Sequence, residues 1–201
     1  MNLTEQLRAY QPCCEQEAAD RELMLRYLKQ FPDDILTRDN PMAHFTASGW
    51  VVTPKRDKVL MVYHNIYNSW SWTGGHADGE SDLLAVALRE VQEETGLQNI
   101  RPVSPDIWSL EILGVDAHTR RGKFVSTHLH LNVTYLIEAE DSDALCVKPD
   151  ENSGVRWFGA ADAVDCSNEP EMRVIYRKLM EKLAKSGPPV KRVACSDPIR
   201  V

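Results

Sequence analysis

The sequence predicts one mixed α+β domain in which helices cover the surfaces of a sheet, and three observations predict it. Segments rich in β-branched and aromatic residues lie both before and after a strongly helical stretch, residues 81–97. An amphipathic helical pattern ends the ordered part of the chain between Asn168 and Gly187. At 201 residues with 43% hydrophobic content, the chain can bury one substantial core without a second domain.

Taken in order, residues 15–31 place Ala18, Ala19, Leu23, Tyr27, Leu28 and Phe31 at helical spacing, so a helix is expected there, ended by Pro32 and packed on the domain's flank. From Phe45 the pattern changes to strand. FTASGWVVTP and KVLMVYH, separated by a Pro-Lys-Arg-Asp turn, predict a hairpin. After the helix at 81–97, strands are expected at 107–115, 126–138 and 155–158. Asn168 and Pro170 open the last helix, with Met172, Ile175, Leu179 and Leu183 on one stripe, and Gly187 with two prolines closes it. The expected organisation is an N-terminal helical extension over 1–40, a main domain over 41–187 and a loosely held tail over 188–201. No internal repeat or low-complexity stretch interrupts this order.

The charge balance narrows the function. Lys plus Arg number 23 against 30 Asp plus Glu, for a net charge of −7, the opposite of what generic nucleic-acid binding requires. An anionic substrate then needs cations to be held. The longest apolar runs are strand-sized, as at 59–63, and the N-terminal segment lacks the basic start and apolar stretch of a secretory signal, so a cytoplasmic, non-membrane protein is the expectation. The cysteines at 13, 14, 146, 166 and 195 show neither CxxC pairing nor a neighbouring histidine at zinc-ligand spacing, and are read as reduced thiols.

Chemistry concentrates in GGHADGESDLLAVALREVQEETGL, residues 74–97. On a helix, Glu90, Glu93 and Glu94 share one face at i, i+3 and i+4, with β-carbons of neighbours about 5–6 Å apart. An exposed acidic face is the commonplace explanation. The frame around it argues for more: Ser81 or Asp82 can cap the helix start, Leu83, Leu84, Ala87, Leu88 and Val91 form an apolar stripe, and Gly96 is placed for a left-handed C-cap. The Gly74-Gly75 pair in front permits backbone approaches that a side chain would block. Clustered carboxylates repel, and a hard divalent cation such as Mg2+ or Mn2+ offsets that repulsion.

This stretch resembles the Nudix (MutT-like) box: a glycine, five residues, a glutamate, seven residues, then Arg-Glu, an apolar residue, any residue, Glu-Glu, any residue, glycine and an apolar residue. Gly75, Arg89, Glu90, Val91, Glu93, Glu94, Gly96 and Leu97 fill the pattern. The early glutamate is missing, since Ser81 stands there between Glu80 and Asp82, and one of those two acids is expected to take over the pairing with Arg89. The resemblance implies an α/β/α sandwich with a mixed sheet, extended here by the N-terminal helix, and an enzyme that cleaves a phosphoanhydride bond. Its implied metal ligands are Glu90, Glu93, Glu94 and the Gly75 carbonyl, with Arg89 orienting carboxylates. Members of the family often recruit a further glutamate from a loop before a late tryptophan-containing strand; Glu151 in KPDENSGVRWF has that placement, as ligand or general base, and Asp150 is its nearest competitor.

The candidate catalytic residues are therefore Arg89, Glu93, Glu94 and Glu151. His128 and His130 share a strand face and His76 follows the glycine pair, so these three, as cleft lining or core histidines, join Trp72 as candidate substrate contacts. Tyr67 and Trp70 are further aromatic candidates for stacking. The expected substrate is a small molecule carrying a diphosphate, either a nucleoside diphosphate linked to another moiety or a nucleoside triphosphate. A homodimer is a family-level expectation. Two competing readings are an isopentenyl-diphosphate-isomerase-like enzyme, which needs a cleft cysteine, and a non-catalytic ligand-sensing or RNA-binding module, which has no need for three clustered acids.

Overall fold

The computed structural model describes residues 1–120 and 122–187. Its elements are α1 (Leu3–Ala9), α2 (Glu15–Gln30), β1 (Ala43–Val52), β2 (Lys58–His64), β3 (Ser69–Ser71), β4 (Thr73–His76), α3 (Leu83–Thr95), β5 (Ile100–Pro102), β6 (Ser109–Val115), β7 (His118–Arg120), β8 (Lys123–Val125), β9 (His128–Ala139), β10 (Asn152–Gly159) and α4 (Pro170–Lys185). The expected tail over 188–201, with Cys195, lies outside the described residues.

Every residue of β1 is buried because the strand is central and covered on both faces. It runs parallel to β9 along its whole length, with His44 opposite His130 and Val52 opposite Glu138. The opposite edge of β1 is shared. Antiparallel β4 takes residues 46–49, and β2 meets β1 at the single rung Val52–Val59. The expected β1–β2 hairpin forms but is paired only next to its turn, because the short strand β4 takes residues 46–49 along the same edge of β1. Antiparallel β6 and β5 line the far side of β9, and β10 and β3 line β2, giving a mixed eight-stranded sheet.

Strand alternation sends Phe45, Ala47 and Val51 of β1 and Leu131, Val133 and Ile137 of β9 into one core with Leu83, Val86, Ala87 and Val91 of α3. The other face is divided. At one end Trp50, Val52 and Leu136 pack with Tyr176, Leu179 and Leu183 of α4 in a second core. At the other end the same face carries His44, Thr46, Ser48, His128, His130, Asn132 and Thr134, so α4 covers the apolar half and leaves a polar floor.

Helix α1, which the sequence reading did not foresee, begins with a capping box between Asn2 and Glu5 and adds Leu3 and Leu7 to the first core. Helix α2 lies along the flank, with Tyr27, Leu28 and Phe31 of the expected stripe packed against the first core, although not every stripe position is covered. Ala19 is exposed, and the buried positions are Glu17 and Met24. The reason is polar: the helix satisfies the open edge of β6, with Asp20 accepting from the Ile112 N–H at 3.0 Å and the Gln16 amide donating to the Leu110 carbonyl at 3.1 Å. Glu17 reaches further in, accepting from Ser109 Oγ at 2.9 Å and pairing with Lys178 at 3.1 Å. Lys178 also pairs with buried Glu111 at 2.8 Å, and the Asn132 amide donates to that same carboxylate at 3.2 Å. Asn132 Oδ1 in turn accepts from Thr46 and Ser48, so one polar chain ties the N-terminal helices to the cleft floor.

Burial would raise the pKa of Glu17, but hydrogen bonds from the Cys13 N–H and Tyr10, with the charges of Lys178 and Lys182, outweigh it and hold the group at about 2 against an ordinary value of 4.5. A depressed carboxyl stabilises fully above its unfolded pKa and loses that contribution as pH falls through its folded one. The variant Glu17→Gln is expected to lose about 3 kcal/mol in urea unfolding at pH 7, because it strips a buried ion cluster of one partner. The gap to the wild type is expected to close between about pH 4.5 and 2; a gap unchanged at pH 3 contradicts the assignment.

Candidate active site

Helix α3 is specified at both ends. The Asp82 side chain accepts from the Ala85 N–H at 3.1 Å, and Glu80 accepts from the Asp82 N–H at 2.9 Å. Gly96 stands in the left-handed region at φ 77°, and its N–H donates to the Gln92 carbonyl. With the apolar stripe sunk into the core, the acidic face emerges beside β4. The acids on it do not share one environment. Glu94 is 6% exposed and Glu90 half-buried, whereas the side chain of Glu93 is 45% exposed.

One carboxylate oxygen from each of Glu90, Glu94 and Glu151 lies within 4.8 Å of the others. Glu93 stands apart from this group, in an ion pair with Lys148 at 2.9 Å, and Lys148 pairs with Glu151 at 3.1 Å. Glu151 arrives on the loop before β10, and Asn152 fixes that loop. Its buried amide donates to the Glu94 carbonyl at 2.9 Å, and its Oδ1 accepts from the Lys148 N–H at 3.2 Å. The Glu151 carbonyl accepts from the Asn65 N–H at 3.0 Å. Asp150 is exposed and outside the group. Neither Asn152 nor Lys148 was singled out from the sequence.

Burial raises the Glu94 carboxyl well above the ordinary range, Glu90 and Glu151 raise it further, and the Gly74 N–H opposes them. Glu90 is also raised, by burial first and then by Glu93. Glu94 Oε2 is buried and has no hydrogen-bond partner. A buried carboxyl oxygen with none, beside two more carboxyl groups, is the donor set a hard dication fits. Binding there expels protons, so affinity rises with pH through the raised carboxyl pKa values.

The glycine pair makes room. A β-carbon on Gly75 would lie 2.4 Å from Glu90 Cδ, and one on Gly74 would lie 2.8 Å from the Ala47 carbonyl oxygen. The first clash is with the end of a side chain, the second with the backbone of β1. The expected pairing of Arg89 with Glu80 or Asp82 does not form. Those acids are used at the helix start, roughly two turns away, and Arg89 instead approaches Glu90 at 4.0 Å.

A cleft extends from Gly74, Gly75 and Glu94 over the polar floor of Thr46, Ser48 and Asn132, with His76 and His130 on its wall. Trp72 lines it but is 9% exposed, and packs edge-on against Tyr176 in the second core; its backbone N–H donates to the Tyr176 hydroxyl at 3.2 Å. Tyr67 also lines the cleft, while Trp70 packs edge-on against Tyr63 and Phe158. His128 is buried behind His130, with their Nε2 atoms 3.3 Å apart. His44, absent from the sequence candidates, joins them; the alternating His-x-Thr-x-Ser of residues 44–48 was the available signal. Arg38 was missed as well: it is ion-paired with Asp78 and close enough to Glu90 and Glu151 to interact with both. Asn168 does not cap α4; its amide donates to the Asn68 carbonyl, and Pro170 opens the helix.

Comparison with known proteins gives concordant findings. The NUDIX domain profile matches residues 42–183. A bis(5'-nucleosyl)-tetraphosphatase [asymmetrical] from Rattus norvegicus is 30% identical over 111 residues, covering 54% of this chain and 68% of the relative. Among solved structures, a C. elegans Ap4A hydrolase binary complex superposes with a TM-score of 0.52 at 20% identity, over 70% of this chain and 98% of that one. The E. coli dihydroneopterin triphosphate pyrophosphohydrolase superposes with a TM-score of 0.52 at 13% identity, over 71% and 96%. At these identities the two structures show a shared fold.

The two glycines are expected to fail differently on substitution. Gly75→Ala can be accommodated by turning the Glu90 carboxylate away, so Mn2+ affinity by calorimetry should drop at least about tenfold while the melting temperature stays close to the wild type. Gly74→Ala must move the β1 backbone and should cost about 1–3 kcal/mol of stability. Equal metal affinity in Gly75→Ala contradicts the cradle.

Proposed function

The chain belongs to the Nudix hydrolase family, and from that premise we propose that it is a Mg2+- or Mn2+-dependent enzyme hydrolysing a phosphoanhydride bond. Its proposed substrate is a nucleoside diphosphate linked to another moiety, or a nucleoside triphosphate. The observation that carries this reading is the buried Glu94 carboxylate, one oxygen unpartnered, grouped with Glu90 and Glu151 at the end of a cleft with a polar floor.

Glu90, Glu94 and Glu151, with the Gly75 carbonyl, would hold the cation or cations, which when bound neutralise phosphoryl charge and make a water more acidic. The protein's own groups do the rest. Lys148 neutralises part of the carboxylate charge and bridges Glu93 and Glu151. Glu93, outside the buried group and open to solvent, is assigned as the acceptor of the water's proton. Arg89 steadies Glu90 electrostatically. His76, His130 and the edge of Trp72 border the space that the non-reacting part of the substrate enters. The substrate class takes support from the rat relative's name, which places nucleosyl polyphosphates in that protein's reaction.

An isomerase-like reading loses its required group, since among the described residues no cysteine lines the cleft. Among the described residues no helix is long and apolar enough to cross a membrane.

The test is incubation of the protein and Mg2+ with nucleoside triphosphates, dinucleoside polyphosphates and nucleoside diphosphate sugars, reading phosphate after alkaline phosphatase treatment. At least one compound is expected to turn over, and Glu94→Gln is expected to lose more than the roughly 10–100-fold typical of an outer-shell partner. Turnover undiminished in Glu94→Gln contradicts the assignment.

A further inference from the structure

Next to the carboxylate site, strands β4, β1 and β9 bring together side chains of a different chemistry. His44 stands opposite His130 in the parallel register, and Thr46, two residues along the same face, stands opposite His76. The His44 ring lies 5.1 Å from that of His76, 5.1 Å from that of His130 and 5.0 Å from that of His128. One ring nitrogen from each of His44, His76 and His130 lies within 4.8 Å of the others.

The hydrogen bonds determine which nitrogens carry lone pairs. A carbonyl oxygen only accepts, so His44 Nδ1 donates to Asn40 at 3.2 Å and leaves Nε2 as an acceptor. That Nε2 is buried and has no partner, on a residue that is 5% exposed. By the same logic His128 Nδ1 donates to the Ser126 carbonyl at 2.8 Å, so its Nε2 accepts from His130 Nε2 at 3.3 Å. His130 then keeps its Nδ1 lone pair. Asn40 and His128 thus act as the outer partners that fix ligating histidines in one tautomer and orientation. Orphaned buried polar atoms are rare in folded proteins, and one on a ring packed against two further imidazoles asks for an occupant.

We propose that His44, His76 and His130 form a second metal site, selective for a first-row transition dication of the zinc class and distinct from the carboxylate site. Imidazole donors suit zinc, cobalt, nickel or copper and disfavour magnesium, whereas the carboxylates have the reverse preference. Three protein nitrogens with a fourth position left over is the arrangement of an open zinc site. Gly75 and His76 are consecutive, so the two sites adjoin along β4 and face the same cleft. Arg38 and Asp78, paired with each other, bring charges of both signs close to His44.

The experiment is titration of the full chain, stripped of metal, with Co2+ in saturating Mg2+, which blocks the carboxylate site. Visible ligand-field absorption reports nitrogen coordination. One equivalent of Co2+ is expected to bind with that absorption, to be retained in Glu94→Gln and to weaken at least about tenfold in His76→Gln and His130→Asn, given folded variants by circular dichroism. His76 is half-buried at a strand end, so His76→Gln serves even where His130→Asn fails to fold. Absence of the absorption in the wild type, or its persistence in His76→Gln, overturns the proposal; neither outcome bears on turnover at the carboxylates.

Discussion

The constraint on which the site depends is the burial of one carboxylate. Glu94 sits at the end of α3 with its side chain turned under Gly74, in a place where an anion without a counter-charge is costly. Everything near it is arranged around that cost. Helix α3 cannot fray, because Asp82 and Gly96 hold its ends, and it cannot shift, because its other face is the first core. The glycine pair lets β4 pass close enough for the Gly74 N–H to reach the acid, and Asn152 brings the loop with Glu151 to the helix terminus. On the proposed reading, a dication bound there would offset the cost of burying the carboxylate, so that this cost would return as binding affinity.

The same division of labour extends across the sheet. Its α4 face is apolar where α4 covers it and polar beyond, and in the polar half Thr46, Asn132, Glu111 and Lys178 of α4 satisfy one another. Because Glu17 of α2 closes this chain of contacts, the N-terminal helices do more than cover an edge. They hold Glu111 and Asn132 in the positions that shape the cleft floor, which links a segment remote in sequence to the geometry of the site.

Much of this was legible in the sequence, and the rest was not for identifiable reasons. Helix α3 was readable because its caps, apolar stripe and family spacing agreed. Glu151 was singled out through the family resemblance, by its place before a tryptophan-bearing strand, and its carboxylate lies near those of Glu90 and Glu94. Spacing alone put Glu90, Glu93 and Glu94 together, yet only Glu90 and Glu94 group with Glu151, while Glu93 is ion-paired with Lys148. That ion pair comes from a loop more than fifty residues away, and helical periodicity carries no information about it. The hairpin was legible but not its extent: turn chemistry at 54–57 signals a reversal but not which strand claims the freed edge of β1. His44 and the polar floor left a trace in strand alternation, whereas the role of Arg38 depends on a contact forty residues distant.

The most direct test of the account is a structure determined with Mn2+, locating the ion by its anomalous scattering. The result expected is a peak bounded by the carboxylates of Glu90, Glu94 and Glu151 and the carbonyl of Gly75, at bond distances near 2.0–2.2 Å. A crystal holding Mn2+ elsewhere while Glu94 remains buried and unligated would contradict it.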